Sequence, residues 1–327
     1  MRYLLLCLPI LFFISSSAQE CTPEELLLKP GTWKKGPQGS IHDVIASDLT
    51  REKVVMANIH KMIETTYKPT GCQIDYSTAY GKYSDPGQKW ISDPYTYTMF
   101  VLSYLCDPND KEKLKYYVQI STSTKVTISA NVIWALDNLY ASDMEGAFRG
   151  YLKLKQKPVK KNGYWFMGEE LRGNPGTTSE EKFFHWLITY NDTLPFYYVS
   201  RREYLLIQKK RLEEKSKEVP SEKEYNDPYL KNISDYLTKP ESELSKPAIC
   251  RWNEEERFEK FVEEGSLGSF YAIKPNLDYY NKKLPKSSPQ FISIEYFLAA
   301  GYPVYVENIA NIEKALDFAK LKSMLGK

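Results

Sequence analysis

Histidine is scarce in this chain: His42, His60 and His185 are the three present among 327 residues. Histidine is the commonest general base and zinc ligand, so so few copies leave little room for either chemistry. None has the spacing of an H-E-x-x-H zinc site, and no two cysteines stand as C-x-x-C. A G-x-S-x-G nucleophile elbow is missing. Gly265-Ser266-Leu267-Gly268 has the wrong order and reads as a loop entering a strand. The stretch from Gly173 to Thr178 has glycines but no lysine to touch a phosphate, and no dinucleotide glycine motif occurs. Asp107 to Glu112 gathers oxygen ligands without the central glycine and distant glutamate of a calcium loop, so it reads as a turn. Neither a metal nor a cofactor is expected.

An excess of one charge is also lacking. The chain has 44 basic and 42 acidic residues. That balance argues against electrostatic capture of nucleic acid, which calls for a basic surface. Long apolar runs are absent after the first eighteen residues. The best later candidate, Phe291 to Ala300, is interrupted by Glu295, whereas a spanning helix takes about 20 apolar residues.

The start of the chain is different. Arg2 supplies a positive charge, Tyr3 to Ile14 is a short apolar run, and Ser16, Ser17 and Ala18 are small. This is the pattern of a cleavable leader over residues 1–18. The expectation is export, cleavage after Ala18, no transmembrane anchor thereafter, and a secreted or periplasmic location. Cys7 leaves with the leader, and Cys21, Cys72, Cys106 and Cys250 remain. An even number in an exported chain suggests two disulfides. Cys72 opens one alternating stretch and Cys106 closes another, so an antiparallel hairpin predicts Cys72–Cys106, leaving Cys21–Cys250. Lipid attachment at Cys21 is disfavoured, because Glu20 stands where a small residue is expected.

Aromatics are plentiful, with 26 Tyr, 14 Phe and 6 Trp, and such residues favour pleated, half-buried strands. Helices are predicted over Asp48–Tyr67, Arg201–Glu218 and Asn308–Leu325. The second has the clearest cap in the chain, Ser200 followed by Glu203. Strands are predicted over Tyr95–Cys106, Leu114–Thr122, Lys125–Trp134, Phe148–Lys157, Leu267–Ile273 and Pro289–Phe297. Asn162-Gly163 predicts a tight hairpin leading into Tyr164–Met167. Lys182–Tyr190 could carry a helical cap, but its aromatic, β-branched content favours a strand in a hairpin with Leu194–Val199. The fold class is α+β, a mostly antiparallel, aromatic-rich sheet with N-terminal, central and C-terminal helices. Residues 19–220 form the main body, 221–246 a polar linker or surface excursion with short helices near Tyr229 and Tyr236, and 247–327 strands and a helix packed on the same body.

These observations favour a non-catalytic protein that binds a glycan, a peptide or an envelope component. The candidate binding face is Tyr95, Tyr97, Tyr116, Tyr151, Tyr164 and Trp165. The rival is a secreted hydrolase using His185, or a carboxylate pair drawn from Glu169, Glu170, Asp75 and Glu145. A structural or assembly subunit is the third reading. Asn191-Asp192-Thr193 and Asn232-Ile233-Ser234 fit the glycan-acceptor pattern.

Overall fold

A computed structural model describes residues 21–81, 92–110, 115–132, 150–190, 192–251 and 257–327. Elements are numbered in chain order among them. The N-terminal part contains α1 (Pro23–Leu28), β1 (Thr32–Lys35), β2 (Ile41–His42), α2 (Ala46–Thr66), β3 (Cys72–Gly81), β4 (Tyr95–Cys106), β5 (Tyr116–Val118) and β6 (Lys125–Ala130). Then come β7 (Leu152–Leu154), β8 (Val159–Lys161), β9 (Tyr164–Arg172), β10 (Glu181–Ile188), β11 (Phe196–Tyr198) and α3 (Arg201–Glu218). The C-terminal part holds α4 (Lys223–Leu237), α5 (Glu241–Leu244), β12 (Ile249–Arg251), β13 (Ser269–Pro275), β14 (Ile292–Ala299), α6 (Pro303–Ala315) and α7 (Phe318–Lys322).

The α+β class is as expected. Ten strands make one sheet in the order β1-β3-β4-β6-β14-β10-β9-β8, with β2 beside β3 and β5 beside β4. β1 and β2 run parallel to β3, and every other pairing is antiparallel. Period-two alternation sends Ile74, Tyr97, Met99, Val126, Ile128, Ile294 and Tyr296 to one face. There they meet Met56, Ile59 and Ile63 of α2, Tyr305, Ile309 and Ile312 of α6, and Leu321 of α7.

The opposite face is polar over the central strands. One transverse row follows from the register: Ser77, Thr98, Thr127, Glu295, His185 and Gly168. Toward β9 and β10 this face turns apolar, with Met167 and Leu187. A second sheet packs there through Leu152, Leu154, Tyr271 and Ile273. In that sheet β13 pairs with β7, β11 and β12. Its far side, Phe270 and Ala272, receives Tyr204, Leu205 and Leu212 of α3 and Ile233 of α4. The layers therefore run helix, sheet, sheet, helix. Burying one such ring or branched side chain contributes about 1.5–3 kcal/mol.

Several expectations hold in detail. α3 starts where the cap predicted, Ser200 Oγ accepting from the Glu203 N–H at 3.1 Å. Asn162 and Gly163 take φ of 52° and 83° in the β8–β9 turn, the left-handed pair of a tight hairpin. Lys182–Tyr190 is strand through Ile188.

Four expectations are corrected. The disulfide is Cys21–Cys106, with Cα atoms 5.8 Å apart, while Cys72 and Cys250 remain buried thiols. The predicted β3–β4 hairpin forms, but its register sets Cys72 opposite Ser103. Cys106 is three residues farther, about 10 Å along the strand, too far for a bridge. α1 packs on β4 and brings Cys21 to Cys106 instead. Cys250 lies on β12, in the core beneath α3.

Residues 221–246 are not a linker: the short helices expected near Tyr229 and Tyr236 are one continuous helix, α4, followed by α5. Their polar composition hides Asn226 and Ile233, which are buried against α3, and Asn226 Nδ2 donates to Ser216 Oγ at 3.0 Å. β10 and β11 do not form a hairpin, because β10 lies between β9 and β14 while β11 pairs with β13 in the other sheet. The C-terminal helix is two helices. Asp317 caps the second by accepting from the Lys320 N–H at 2.9 Å, so the buried stripe passes from Leu316 to Leu321 and leaves Ala319 exposed. Leu114, Trp134, Phe148, Glu145, Asn191 and the leader lie outside the described residues.

Candidate functional site

His185 sits in β10 between Gly168 of β9 and Glu295 of β14. It is 6% exposed, and its Nε2 has no hydrogen-bond partner. Burial pushes its pKa down to about 3. The ring is therefore neutral across the physiological range. A general base must reach the proton it abstracts, and this nitrogen is sealed inside the protein. The neighbouring Gly168 has φ +130°, a backbone conformation that favours glycine, and the Gln156 side chain lies against it.

The six nominated rings do not make one face. Tyr95 and Tyr97 are buried in the core under α2, and Tyr151 is buried in the core under α3. Tyr95 and Tyr97 are strand residues as expected, but alternation directs them inward, and Tyr151 stands just before β7. Tyr116 is exposed on β5, with Lys29 Nζ 4.3 Å from its ring centre. Tyr164 and Trp165, both half-buried on the β8–β9 hairpin, point to opposite faces of the sheet, Tyr164 toward Phe318 of α7 and Trp165 toward the second sheet. Lys160 Nζ lies 5.2 Å from the Trp165 ring centre, and Lys161 Nζ lies 3.6 Å from that of Phe166. Val159, Lys160 and Lys161 form the exposed outer strand of the large sheet. Lys160 also pairs with Asp192 at 2.6 Å.

The nominated carboxylates are spent in local contacts. Glu169 pairs with Lys182 at 3.0 Å and Glu170 with Arg172 at 3.0 Å. Asp75 accepts from Gln73 Nε2 at 2.6 Å.

A different acidic group is buried. Glu52, in the middle of α2, is fully buried, and neither carboxyl oxygen has a hydrogen-bond partner. Asp48, one turn earlier, is 6% exposed, and so is Asp93 in the segment entering β4. Burial, then Asp93, then Asp48 push the Glu52 pKa up to about 8. Burial also raises Asp93, with Lys286 opposing and Asp48 reinforcing. Asp48 Oδ1 accepts from Ser287 Oγ at 2.8 Å and lies 3.5 Å from Arg51.

Around this group runs a polar seam. Asn131, at φ +58°, donates through Nδ2 to the carbonyls of Asp93 and Ser288, and its Oδ1 accepts from the Gln290 N–H at 2.7 Å. Gln290 Nε2 donates to Ser92 Oγ at 3.0 Å, and Tyr95 OH donates to the Ser287 carbonyl at 2.8 Å. The Asp93 N–H donates to the Lys286 carbonyl at 2.8 Å. Buried polar groups satisfied in this way specify one arrangement, and Glu52 is the member left out. Among the described residues no group of His, Cys, Asp or Glu is arranged to hold a metal ion. Solvent does not reach the Glu52 oxygens, so what they can take up is a proton.

The predicted helix begins at Asp48, and Glu52 was not among the nominated residues. The signal was the helical period. Asp48 and Glu52 continue, at i,i+4 spacing, the stripe of Met56, Ile59 and Ile63 that faces the sheet.

The chain matches no known family model, no curated protein and no solved structure.

Proposed function

We propose that this is an exported, non-catalytic binding protein whose ligand is an acidic glycan or a similar anionic polymer of a cell envelope. The observation that carries the reading is the β8–β9 hairpin. Half-buried Trp165 lies beside Lys160 on one side of an exposed edge strand, and half-buried Tyr164 lies beside Lys161 on the other. Rings offer flat apolar area for sugar faces, and ammonium groups suit carboxylate or sulfate. Edge lysines also oppose strand-to-strand aggregation, so the polymer must add something that structural role does not supply.

Export is supported by the leader pattern and by the Cys21–Cys106 bridge, since disulfides persist in oxidising compartments. Among the described residues no helix is long and apolar enough to cross a membrane. The hydrolase reading has weaker support, because His185 is sealed and Glu169, Glu170 and Asp75 are spent in neighbouring contacts.

The test is equilibrium binding to uronate-rich and sulfated polysaccharides, with neutral ones as controls. Wild-type protein is expected to bind the acidic polymers, and Trp165→Ala and Lys160→Ala to weaken binding about tenfold or more, equivalent to 1.4 kcal/mol. Equal binding by both variants, or no acidic preference, overturns the reading.

A further inference from the structure

We propose that Glu52 is a proton-operated latch, holding the start of α2 against the segments that enter β4 and β14. When protonated it is a neutral carboxyl in a dry seam. When ionised it is a charge without a hydrogen bond. The groups facing it come from every neighbouring element. Asp48 lies on its own helix, where Arg51 is turned to Asp48. β3 contributes Tyr80, and β4 with its approach contributes Tyr95 and Asp93. Lys286, in the approach to β14, favours the charge of Asp93. Among the described residues Arg51 and Lys286 thus act on other carboxylates, and neither Glu52 oxygen has a hydrogen-bond partner.

A buried anion with no donor is relieved by water. The cheapest route parts the seam rather than the sheet. Segment 92–94 and segment 286–290 are loops held by the Asp93–Lys286 backbone bond, Asn131 and Gln290. β3 and β4, by contrast, share a nine-residue ladder from Cys72↔Ser103 to Tyr80↔Tyr95. Loss of the proton therefore opens a cleft in which Asp48, Glu52 and Asp93 become accessible together. The open, ionised form is acidic, and the closed, protonated form is not. The raised Glu52 pKa places this change near pH 8.

The test is hydrogen exchange read by mass spectrometry at pH 6.5 and 8.5, corrected for the intrinsic exchange rate, on the oxidised protein. In wild type, protection is expected to fall about tenfold or more at residues 46–56, 92–94 and 286–290, while the β3–β4 ladder is unchanged. E52Q is expected to show no such fall, and D93N a smaller one, because it removes a charge that ionised Glu52 must face. Carboxyl-labelled glutamate NMR of the wild type supplies a readout independent of any variant. One carboxyl should titrate well above the rest. The proposal is overturned by undiminished loss of protection in E52Q, by no loss or uniform loss in wild type, or by glutamates that all titrate in the ordinary range.

Discussion

The pH dependence of stability should have a plateau with two limbs, each owned by one buried side chain. His185 has a folded pKa of about 3 against an ordinary 6.5. Between those values the unfolded chain binds a proton that the folded protein refuses, so stability is lost as pH falls through that window. Glu52 has a folded pKa of about 8 against an ordinary 4.5. There the folded protein keeps a proton that the unfolded chain releases, so stability is lost as pH rises from 4.5 to 8 and then levels. Each proton carries about 1.4 kcal/mol per pH unit. Between pH 4.5 and 6.5 the two effects cancel. From 6.5 to 8 Glu52 acts alone, for a loss of roughly 2 kcal/mol, and from 4.5 to 3 His185 acts alone, for a similar loss. Asp93 and Glu313 are raised as well and add in the Glu52 sense. Cys72, pushed up to about 12 from 9, enters only at higher pH.

The assay is urea unfolding at half-unit steps from pH 3.5 to 8.5, followed by tryptophan fluorescence with the disulfide intact. E52Q should flatten the alkaline limb and leave the acid one, and His185→Gln the reverse. An alkaline slope of the same size in E52Q refutes the assignment, whatever its absolute stability.

Two further outcomes follow from particular contacts. Asn232 Nδ2, the atom a glycan would occupy, donates to the carbonyls of Phe258 and Glu259 at 3.0 and 2.8 Å, so the folded protein should stay unmodified there. Asn232→Ala should cost about 0.5–1.5 kcal/mol in urea unfolding by removing these bonds at a partly exposed site, and a change below a few tenths would contradict that role. Cys106→Ser opens a loop with a sequence separation of 85. It should cost roughly 4–5 kcal/mol by chain entropy, and an unchanged urea midpoint would show that the bridge is not formed.

Local signals in the sequence proved reliable where one residue type has one physical use. Ser200 with Glu203 placed the start of α3, and Asn162-Gly163 placed a turn. Strand alternation found β3 and β4 but not their register, because a slip of a few residues changes no local propensity. The three-residue offset between Ser103 and Cys106 moved the bridge to Cys21. Polar composition misled over α4, where one buried isoleucine and one buried asparagine suffice once α3 lies alongside. Five of the six nominated rings are strand residues, Tyr151 standing just before β7, yet alternation cannot say which face becomes core, and Tyr95, Tyr97 and Tyr151 went inside. Glu52 was legible in the period of α2. Its neighbour Asp93 was not, because only the folded chain brings residue 93 to residue 52.

Export into an oxidising compartment underlies the reading of this protein, and the unreduced N-terminal peptide tests it most directly. Mass spectrometry of the protein recovered from its native source should find a chain beginning near Gln19, with the Cys21 peptide joined to the Cys106 peptide. Recovery of an intact Met1 end, with Cys21 and Cys106 both as thiols, would contradict the account.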